Sequence, residues 1–352
     1  MDDFIHLRVV QIIQETSDAI TIKLLVEDGK TITYKSGQFI TLIFERRGKE
    51  IRRSFSLSSA PGIDKELWIT VKRIPNGDIS SFIYRHIKVG EIIKSLPPAG
   101  RFVLQTNKSL QRDIFMVAAG SGITPMYSLI RSILIEEPKS RITLIYSSRN
   151  EQSTIFYKRL NELSEQYSEQ LKCIYIFSNP EDKNHPYNVH LNLGLLKDLI
   201  EQNMQFDRDT AEFMLCGPFT YMRMAEMIII AMGFDESRVH KENFVILAEQ
   251  EAINTPPVQE KGYKTVNISY NGNNFDLIVS PGKPILKSAL EKGIYLPYSC
   301  QGGVCGICSA ICKHGEVKMS INDVLTNKDL EKGWVLTCVG YPITEKVELV
   351  FE

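Results

Sequence analysis

Four cysteines in the C-terminal part of the chain have a spacing that can hold an iron–sulfur cluster. Cys300, Cys305 and Cys308 follow the pattern C-x4-C-x2-C, and Cys338 comes 30 residues later. A tight loop with three thiolates and a distant fourth one is the plant-type arrangement around two irons. A zinc site of four cysteines usually has two separated C-x2-C pairs, whereas this segment has one. We therefore expect a [2Fe–2S] cluster, with a zinc site or a group of buried thiols as the alternative.

A glycine-rich segment at residues 119–126 has the features of an anion-binding turn. It reads A-G-S-G-I-T-P-M and directly follows an apolar strand pattern. Gly120 and Gly122, followed by Pro125 at the first position (N1) of a predicted helix, form a tight turn that faces the start of that helix. Main-chain N–H groups at such a position bind phosphate. The segment is not the fingerprint G-x-G-x-x-G, because Pro125 stands where the third glycine would fall.

The hydrophobic pattern of residues 1–106 predicts a small antiparallel β-barrel. Short strand patterns alternate with turn residues in this part of the chain, as is typical of such barrels. They lie at residues 5–12, 19–26, 38–44, 54–58 and 67–72.

The pattern changes over residues 107–247, where strands and helices alternate. Such alternation is typical of a doubly wound parallel sheet. The strand patterns lie at 113–118, 141–147, 171–177 and 212–216, and the helical patterns at 125–136, 155–166, 195–203 and 219–232. Residues 248–262 are polar and contain two adjacent prolines, so we expect a linker there. Residues 263–352 carry the four cysteines and form the third predicted domain.

Composition excludes two classes of partner. The 352 residues have a formal net charge of −1, so no overall field attracts nucleic acid. No segment approaches 18 uninterrupted apolar residues and no signal peptide is visible, so we expect no membrane insertion. Seven cysteines, four of them in the cluster pattern, fit a reducing compartment better than a disulfide framework, which predicts a cytoplasmic protein.

Three further motifs connect these segments to a known family. They are R-S-F-S at residues 53–56, C-G-P at 216–218 and E-N-F at 242–244. Together with the glycine-rich turn and the cysteine pattern, they resemble the ferredoxin–NADP reductase family, and within it the three-part reductases of multicomponent oxygenases. The resemblance spans essentially the whole chain. It implies an FAD-binding β-barrel, an α/β NAD(P)-binding domain and a C-terminal [2Fe–2S] ferredoxin domain of α+β (β-grasp) type.

The resemblance assigns a flavin site to the first domain. It implies that Arg53 holds a flavin phosphate, that Phe55 and Leu57 lie along the flavin, and that the Ser56 hydroxyl reaches N5 or O4 of the ring. The segment Gly77–Ser80, including Ile79, would receive a pyrophosphate at the start of a helix, which indicates FAD and not FMN. The alternatives are a surface ion pair for Arg53, core packing for Phe55 and a plain capped helix after Gly77.

The resemblance also assigns a nucleotide site. Gly120, Gly122 and Pro125 would hold the pyrophosphate of NAD(P)H, with Thr124 near the flavin. Cys216 would lie beside the nicotinamide, where Gly217 and Pro218 allow close approach, and Phe244 would stack on the flavin with Glu242 nearby. The alternative for Cys216 is a buried strand cysteine.

The choice between NADH and NADPH depends on residues 178–182 and on Arg149. The position where members that prefer NADPH often carry Ser-Arg reads S-N-P-E-D at 178–182. Two carboxylates and no guanidinium disfavour a 2′-phosphate. Arg149 could supply the positive charge, or it could be an ordinary surface arginine. The sequence therefore favours NADH over NADPH.

These expectations combine into an electron-transfer function. NAD(P)H would reduce FAD, with Ser56, Thr124 and Cys216 at the reacting rings, and the cluster would deliver single electrons to an oxygenase component. The alternatives are a reductase that serves a desaturase, a demethylase or a diffusible ferredoxin, and, from another class, a redox-sensing iron–sulfur protein.

Overall fold

The first sheet is antiparallel and nearly closed, as the strand patterns predict. The computed structural model describes residues 4–46, 48–74, 77–244 and 262–351. Six strands have the order β4-β3-β6-β1-β2-β5. An isolated bridge between Leu57 and Ile69 connects the ends of the order, which closes the sheet into a barrel. The strands are β1 (Ile5–Thr16), β2 (Ala19–Val26), β3 (Phe39–Arg46), β4 (Lys49–Ser56), β5 (Leu67–Lys72) and β6 (Ile92–Ala99), with helix α1 (Asp78–His86) between β5 and β6.

Strand β6 is absent from the sequence expectation, because it contains Pro97 and Pro98. Proline removes a donor and is rare inside sheets. Only the first half of β6, Ile92–Ser95, pairs with β1, and the pairing with β3 shifts its register between Phe39 and Thr41. The two prolines therefore lie where the regular ladder has already been interrupted.

The second sheet is parallel and has the order β11-β10-β7-β8-β9. Its three central strands are largely buried on both faces, which explains their continuous apolar sequences. The chain builds β7, β8 and β9 outward in one direction and then returns to add β10 and β11 on the other side. The strands are β7 (Asp113–Ala119), β8 (Arg141–Ser148), β9 (Leu171–Phe177), β10 (Glu212–Cys216) and β11 (Val239–Glu242), and the helices are α2 (Ile123–Glu136), α3 (Tyr157–Gln166), α4 (Leu193–Asn203) and α5 (Phe219–Ala231).

The third sheet belongs to a separate unit. The chain divides into one unit of Phe4–Glu242 and another that begins at Asn243. The second unit has a mixed sheet of order β13-β12-β18-β14-β16, in which β12 and β18 are parallel, beside the pair β15 and β17. Its elements are β12 (Lys264–Tyr270), β13 (Asn273–Val279), α6 (Ile285–Glu291), β14 (Ser309–His314), β15 (Val317–Met319), α7 (Asn327–Glu331), β16 (Trp334–Leu336), β17 (Gly340–Pro342) and β18 (Lys346–Val350).

Within the first unit, an ion pair joins the barrel to helix α2. Both guanidinium nitrogens of Arg131 donate to the carboxylate of Asp64, at 2.5 and 3.0 Å. The two side chains are only 14% and 8% exposed. The Asp64 carboxylate also accepts a hydrogen bond from the main-chain N–H of Ala60, so it has three hydrogen bonds in all. No helix in the described ranges has the length and apolar character needed to cross a membrane.

We predict that Asp64→Asn destabilises the first unit by about 3 kcal/mol, because it leaves a largely buried guanidinium without its counter-charge. The matched control is Glu201→Gln on α4. It removes a pair with Lys197 whose side chains are about half exposed, and such pairs contribute only about 0.5 kcal/mol. Thermal unfolding of the flavin-loaded protein measures both variants. Equal melting temperatures for the two variants would contradict the prediction.

Candidate functional site

The chain reversal in the parallel sheet brings two predicted motifs together. Strands β7 and β10 are neighbours, and the chain leaves them toward opposite sides, which is where ligands bind in open α/β sheets. A Cβ atom added to Gly122, after β7, would lie 2.1 Å from the carbonyl oxygen of Cys216, at the end of β10. A Cβ atom on Gly217 would lie 3.0 Å from that of Ala119. The glycine-rich turn and the C-G-P motif thus meet main chain to main chain.

The turn itself begins earlier than the sequence suggested. Residues 120–122 form a single 3-10 turn, and α2 starts at Ile123, so Thr124 and Pro125 already lie in its first turn. Thr124 is buried and its hydroxyl donates to the carbonyl of Ser121 at 3.0 Å. Gly120 has φ of +54°, a conformation that favours glycine.

Cys216 is fully buried beside a second titratable group. The strand register places it next to Glu242 on β11. Burial raises the pKa of the Cys216 thiol well above its usual value, and the Glu242 carboxylate adds to this effect. Burial also raises the pKa of Glu242 to about 8, although part of its side chain reaches the surface. At pH 7 the end of β10 therefore carries a neutral thiol next to a carboxylic acid.

A cavity of about 410 Å³ opens beside the glycine-rich turn. Gly120 and Arg149, two of the predicted nucleotide residues, line it. The remaining lining residues were not predicted, and they come from the β1–β2 turn, the end of β5 and the segment after β8: Ser17, Asp18, Lys72, Ser148, Asn150, Gln152 and Ser153.

The charges around this cavity have mixed sign. Lys72 and Arg149 bring positive charge, which suits phosphate groups, and Asp18 lies 3.7 Å from the Lys72 ammonium group. The Asn150 and Ser153 side chains cap each other's main-chain N–H groups, and this N-x-x-S pattern could have been found in the sequence. Lys72, at the end of β5, and Asp18, in the turn between β1 and β2, have no such signal.

The predicted flavin residues lie at the end of β4. Ser56 is 4% exposed and its hydroxyl has no hydrogen-bond partner, which is uncommon for a buried polar atom. A flavin ring edge with N5 and O4 would supply the missing partner, so this position fits the group. Arg53 is exposed and Phe55 half-buried on the same face of the strand. Leu57 is fully buried and its side chain belongs to the barrel core.

The predicted pyrophosphate segment lies at the start of α1. Gly77 precedes the helix and makes no side-chain cap, and a Cβ atom there would lie 2.6 Å from the Ser80 hydroxyl oxygen. That hydroxyl accepts from the main-chain N–H of Ile74 at 3.2 Å and does not cap the helix. Ile79 is buried in the barrel core and anchors the first turn. The plain capped helix is therefore not what this segment forms.

The four predicted cluster ligands converge in the second unit. The Cys300 thiol is within hydrogen-bonding reach of Cys305 and Cys338, and Cys338 is within reach of Cys308. These neighbours lower the pKa of Cys300, and its sulfur also accepts from the main-chain N–H of Gly302 at 3.3 Å.

The loop around these thiols has no room for further side chains. Gly303 has φ of +77°, and a Cβ atom there would lie 2.5 Å from Ile321. Cys300 and Cys338 each approach two of the other ligands, so the four sulfurs form one group, which fits the two-iron cluster that their spacing predicts.

Phe244 falls outside the unit that holds the nucleotide residues. It follows β11 and belongs to the second unit, and its side chain is 41% exposed. Its stacking on a flavin stays a prediction.

Models of three protein families match successive parts of the chain. They are the oxidoreductase FAD-binding domain at residues 6–104, the oxidoreductase NAD-binding domain at 116–227 and the 2Fe-2S iron-sulfur cluster binding domain at 268–342. One component of the 1,2-phenylacetyl-CoA epoxidase from Escherichia coli (strain K12) is 33% identical, over 100% of this chain and 99% of its own. The ferredoxin reductase component of 3-ketosteroid-9-alpha-monooxygenase from Mycolicibacterium smegmatis is 32% identical, over 99% and 97%.

The chain is a member of the family of FAD-dependent reductases that contain a [2Fe–2S] domain. The fold of this reductase is also that of phthalate dioxygenase reductase, with a TM-score of 0.60 over 99% of this chain and 98% of that one, at 22% identity. The predicted three-domain fold, the three cofactors and the oxidoreductase activity are confirmed. The roles of individual residues and the domain boundaries stay predictions.

We predict that Gly122→Ala destabilises the reductase by about 3 kcal/mol or more, because a methyl group there meets a carbonyl oxygen that cannot turn aside. Gly122 has φ of −61°, so the effect comes from contact and not from torsion. It should also weaken nucleotide binding, since the turn must move away from Cys216. The control is Gly194→Ala in α4, where the nearest atom is 3.6 Å away. A stable Gly122→Ala with unchanged nucleotide affinity would refute the close contact.

We predict that Glu242 makes the folded reductase less stable as the pH rises. Its pKa in the folded state, about 8, is above the ordinary value of 4.5, so the folded protein keeps a proton that the unfolded chain releases. This contribution is complete below pH 4.5 and is lost as the pH rises through 8. Melting temperatures of the wild type and Glu242→Gln should therefore diverge between pH 6 and pH 9 in favour of the variant. A pH-independent difference would show that Glu242 titrates normally.

Proposed function

We propose that the reductase takes electrons from NADH and delivers them to an oxygenase component. Bound FAD supplies the exchange between two-electron and one-electron transfer, and the [2Fe–2S] cluster supplies the one-electron exit. One observation supports this proposal most directly: the glycine-rich turn contacts Cys216 beside a cavity that is lined by Lys72 and Arg149. The oxygenase acceptor is supported by the relatives, which include the reductase components of a 3-ketosteroid-9-alpha-monooxygenase and of a glycine betaine monooxygenase.

Within this proposal the chain's own residues position the flavin and the nicotinamide, and they do not donate or accept protons in the reaction. Ser56 offers an unpaired buried hydroxyl to the flavin ring, and Thr124 fixes the first turn of α2. Cys216 is uncharged, and its side chain would lie beside the nicotinamide and help to exclude water from the place of hydride transfer. No buried base is required at this position.

The preference for NADH is supported by charges around the nucleotide. Lys72 is paired with Asp18, and in the segment after β9 Lys183 donates to Asn179 and to the carbonyl of Pro180. Glu181 and Asp182 add negative charge to that segment. An extra 2′-phosphate would meet these carboxylates, and Arg149 is the arginine of the cavity lining that could offset them.

We further propose the domain boundaries and the compartment. Boundaries at 1–106, 107–247, 248–262 and 263–352 agree with the extents of the three family matches and with a division of the chain near residue 242. All seven cysteines are free thiols, which fits the cytoplasm.

We predict that Cys305→Ser abolishes cluster assembly and lowers NADH-dependent reduction of cytochrome c at least tenfold, while NADH still reduces the flavin. Apart from Phe244, the predicted flavin and nucleotide residues lie in the first unit, which has its own hydrophobic cores. Stopped-flow absorbance of the flavin beside cytochrome c turnover separates the two steps.

The matched control for this experiment is Cys312→Ser. Cys312 lies on β14 in the same unit, and its thiol faces the carbonyls of His314 and Gly315 instead of the four ligands. It should keep both the cluster and the turnover. Wild-type turnover in Cys305→Ser would place the cluster outside the main electron route.

A further inference from the structure

A single tyrosine hydroxyl lies directly beneath the cavity beside the glycine-rich turn. Tyr146, on β8, is fully buried, and its hydroxyl donates to the carbonyl oxygen of Gly120 at 2.9 Å. The same hydroxyl interacts with the Ser148 side chain and with the main chain of Ile155. Gly120 and Ser148 both line the cavity. One buried group thus connects two walls of the cavity to each other.

A second tyrosine makes a similar contact one step away. Tyr221, in the first turn of α5, donates to the carbonyl oxygen of Ala118 at 3.1 Å and lies 3.0 Å from the Ser147 hydroxyl. Its ring also packs against the main chain of Gly217, since a Cβ atom there would lie 3.2 Å from Cδ1 of Tyr221. Tyr221 therefore joins the ends of β7 and β8 to the C-G-P motif.

These contacts determine which way the peptide groups of the turn face. The carbonyl oxygens of Ala118, Gly120 and Ser121 accept from the hydroxyls of Tyr221, Tyr146 and Thr124, respectively. A carbonyl oxygen carries partial negative charge and would repel a phosphate, whereas an N–H group attracts it. Gly120 is the flexible point, because a residue without a Cβ atom adopts positive and negative φ about equally readily, and here φ is +54°. A hydroxyl bond to its carbonyl keeps that oxygen turned toward the protein.

We propose that the Tyr146 hydroxyl is a positioning group for the nucleotide: it holds the Gly120 carbonyl away from the cavity, so that the turn offers only donors to the phosphates of the nucleotide. Tyr221 acts in the same way on the Ala118 carbonyl. The proposal rests on the proposed binding of NADH at this cavity. Both tyrosines remain neutral, since burial raises their pKa, and neither adds charge to the site.

The neighbouring strand offers a matched control. Tyr175 on β9 is the register partner of Tyr146, and the two ring centroids are 6.3 Å apart. Its hydroxyl donates to the Asn161 side chain on α3 at 2.7 Å and has no hydrogen bond to the turn. Tyr175→Phe and Tyr146→Phe each remove one hydroxyl from adjacent positions of the same sheet, the first with its bond to Asn161 and the second with its contacts to Gly120, Ser148 and Ile155. Only the second change releases a cavity wall.

The experiment compares both variants in the full chain with its cofactors. The readouts are the dissociation constant of NAD⁺ by calorimetry, KM and kcat for NADH with ferricyanide as acceptor, and the melting temperature. We expect Tyr146→Phe to raise the dissociation constant and KM about tenfold, with kcat within a factor of two. Tyr175→Phe should leave both constants unchanged, while Tyr146→Phe, which loses more contacts, should lower the melting temperature at least as much as Tyr175→Phe does. If Tyr146→Phe does not retain its flavin, Tyr221→Phe decides by the same readouts.

Two results would overturn the inference. One is an unchanged dissociation constant in a folded Tyr146→Phe, and the other is an equal rise in Tyr175→Phe, which would reveal a general effect of hydroxyl loss. Failure of the proposed function looks different, because the wild type would then neither bind NAD⁺ nor oxidise NADH. A wild type that does both, beside an unaffected Tyr146→Phe, refutes the positioning role alone.

Discussion

One main-chain contact, with no space for a side chain, determines where the nucleotide site of this reductase lies. Gly122 packs against the Cys216 carbonyl at the point where the chain leaves β7 and β10 in opposite directions. Gly122 has ordinary helical torsion angles, so glycine is required there for space and not for its conformational freedom. The glycine-rich turn and the C-G-P motif, which are nearly 100 residues apart in sequence, are therefore two halves of one junction. The position of Cys216 beside Glu242 and the opening of the cavity beside Gly120 both depend on it.

Much of the parallel sheet could be predicted because its central strands are buried on both faces and its edge strand β9 is rich in β-branched and aromatic residues. The patterns at 171–177 and 212–216 have the same bounds as β9 and β10. The barrel was harder to predict. Strand β6 contains Pro97 and Pro98, and only the interrupted pairing with β1 and β3 makes room for them. Local sequence cannot show an interruption that is created by neighbouring strands.

In the site, too, some residues could be found from local sequence, whereas others are brought there only by the fold. The cysteine loop, the glycine-rich turn and C-G-P are local patterns, and each could be found with the ligand chemistry that it serves. Lys72 reaches the cavity from the end of β5 and Asp18 from the turn between β1 and β2, so their contribution depends on how the barrel faces the parallel sheet. Tyr146 gives no signal at all, because within L-I-Y-S-S it is a typical core residue of a buried strand. Only the register of β7 beside β8 places its hydroxyl under Gly120.

In this site, different groups attract the phosphates and orient the main chain of the turn. Arg149 and Lys72 lie at the cavity, where water screens them and where they can attract phosphate at little desolvation cost. The Gly120 and Ala118 carbonyls beneath the cavity are held by the hydroxyls of Tyr146 and Tyr221. Burial raises the pKa of both hydroxyls and so keeps them neutral. A buried lysine could donate the same hydrogen bonds, but an ion without a partner in the sheet interior would lose its proton or destabilise the fold. Neutral donors below and cations at the opening thus allow a rigid turn and a positive surface to coexist in one site.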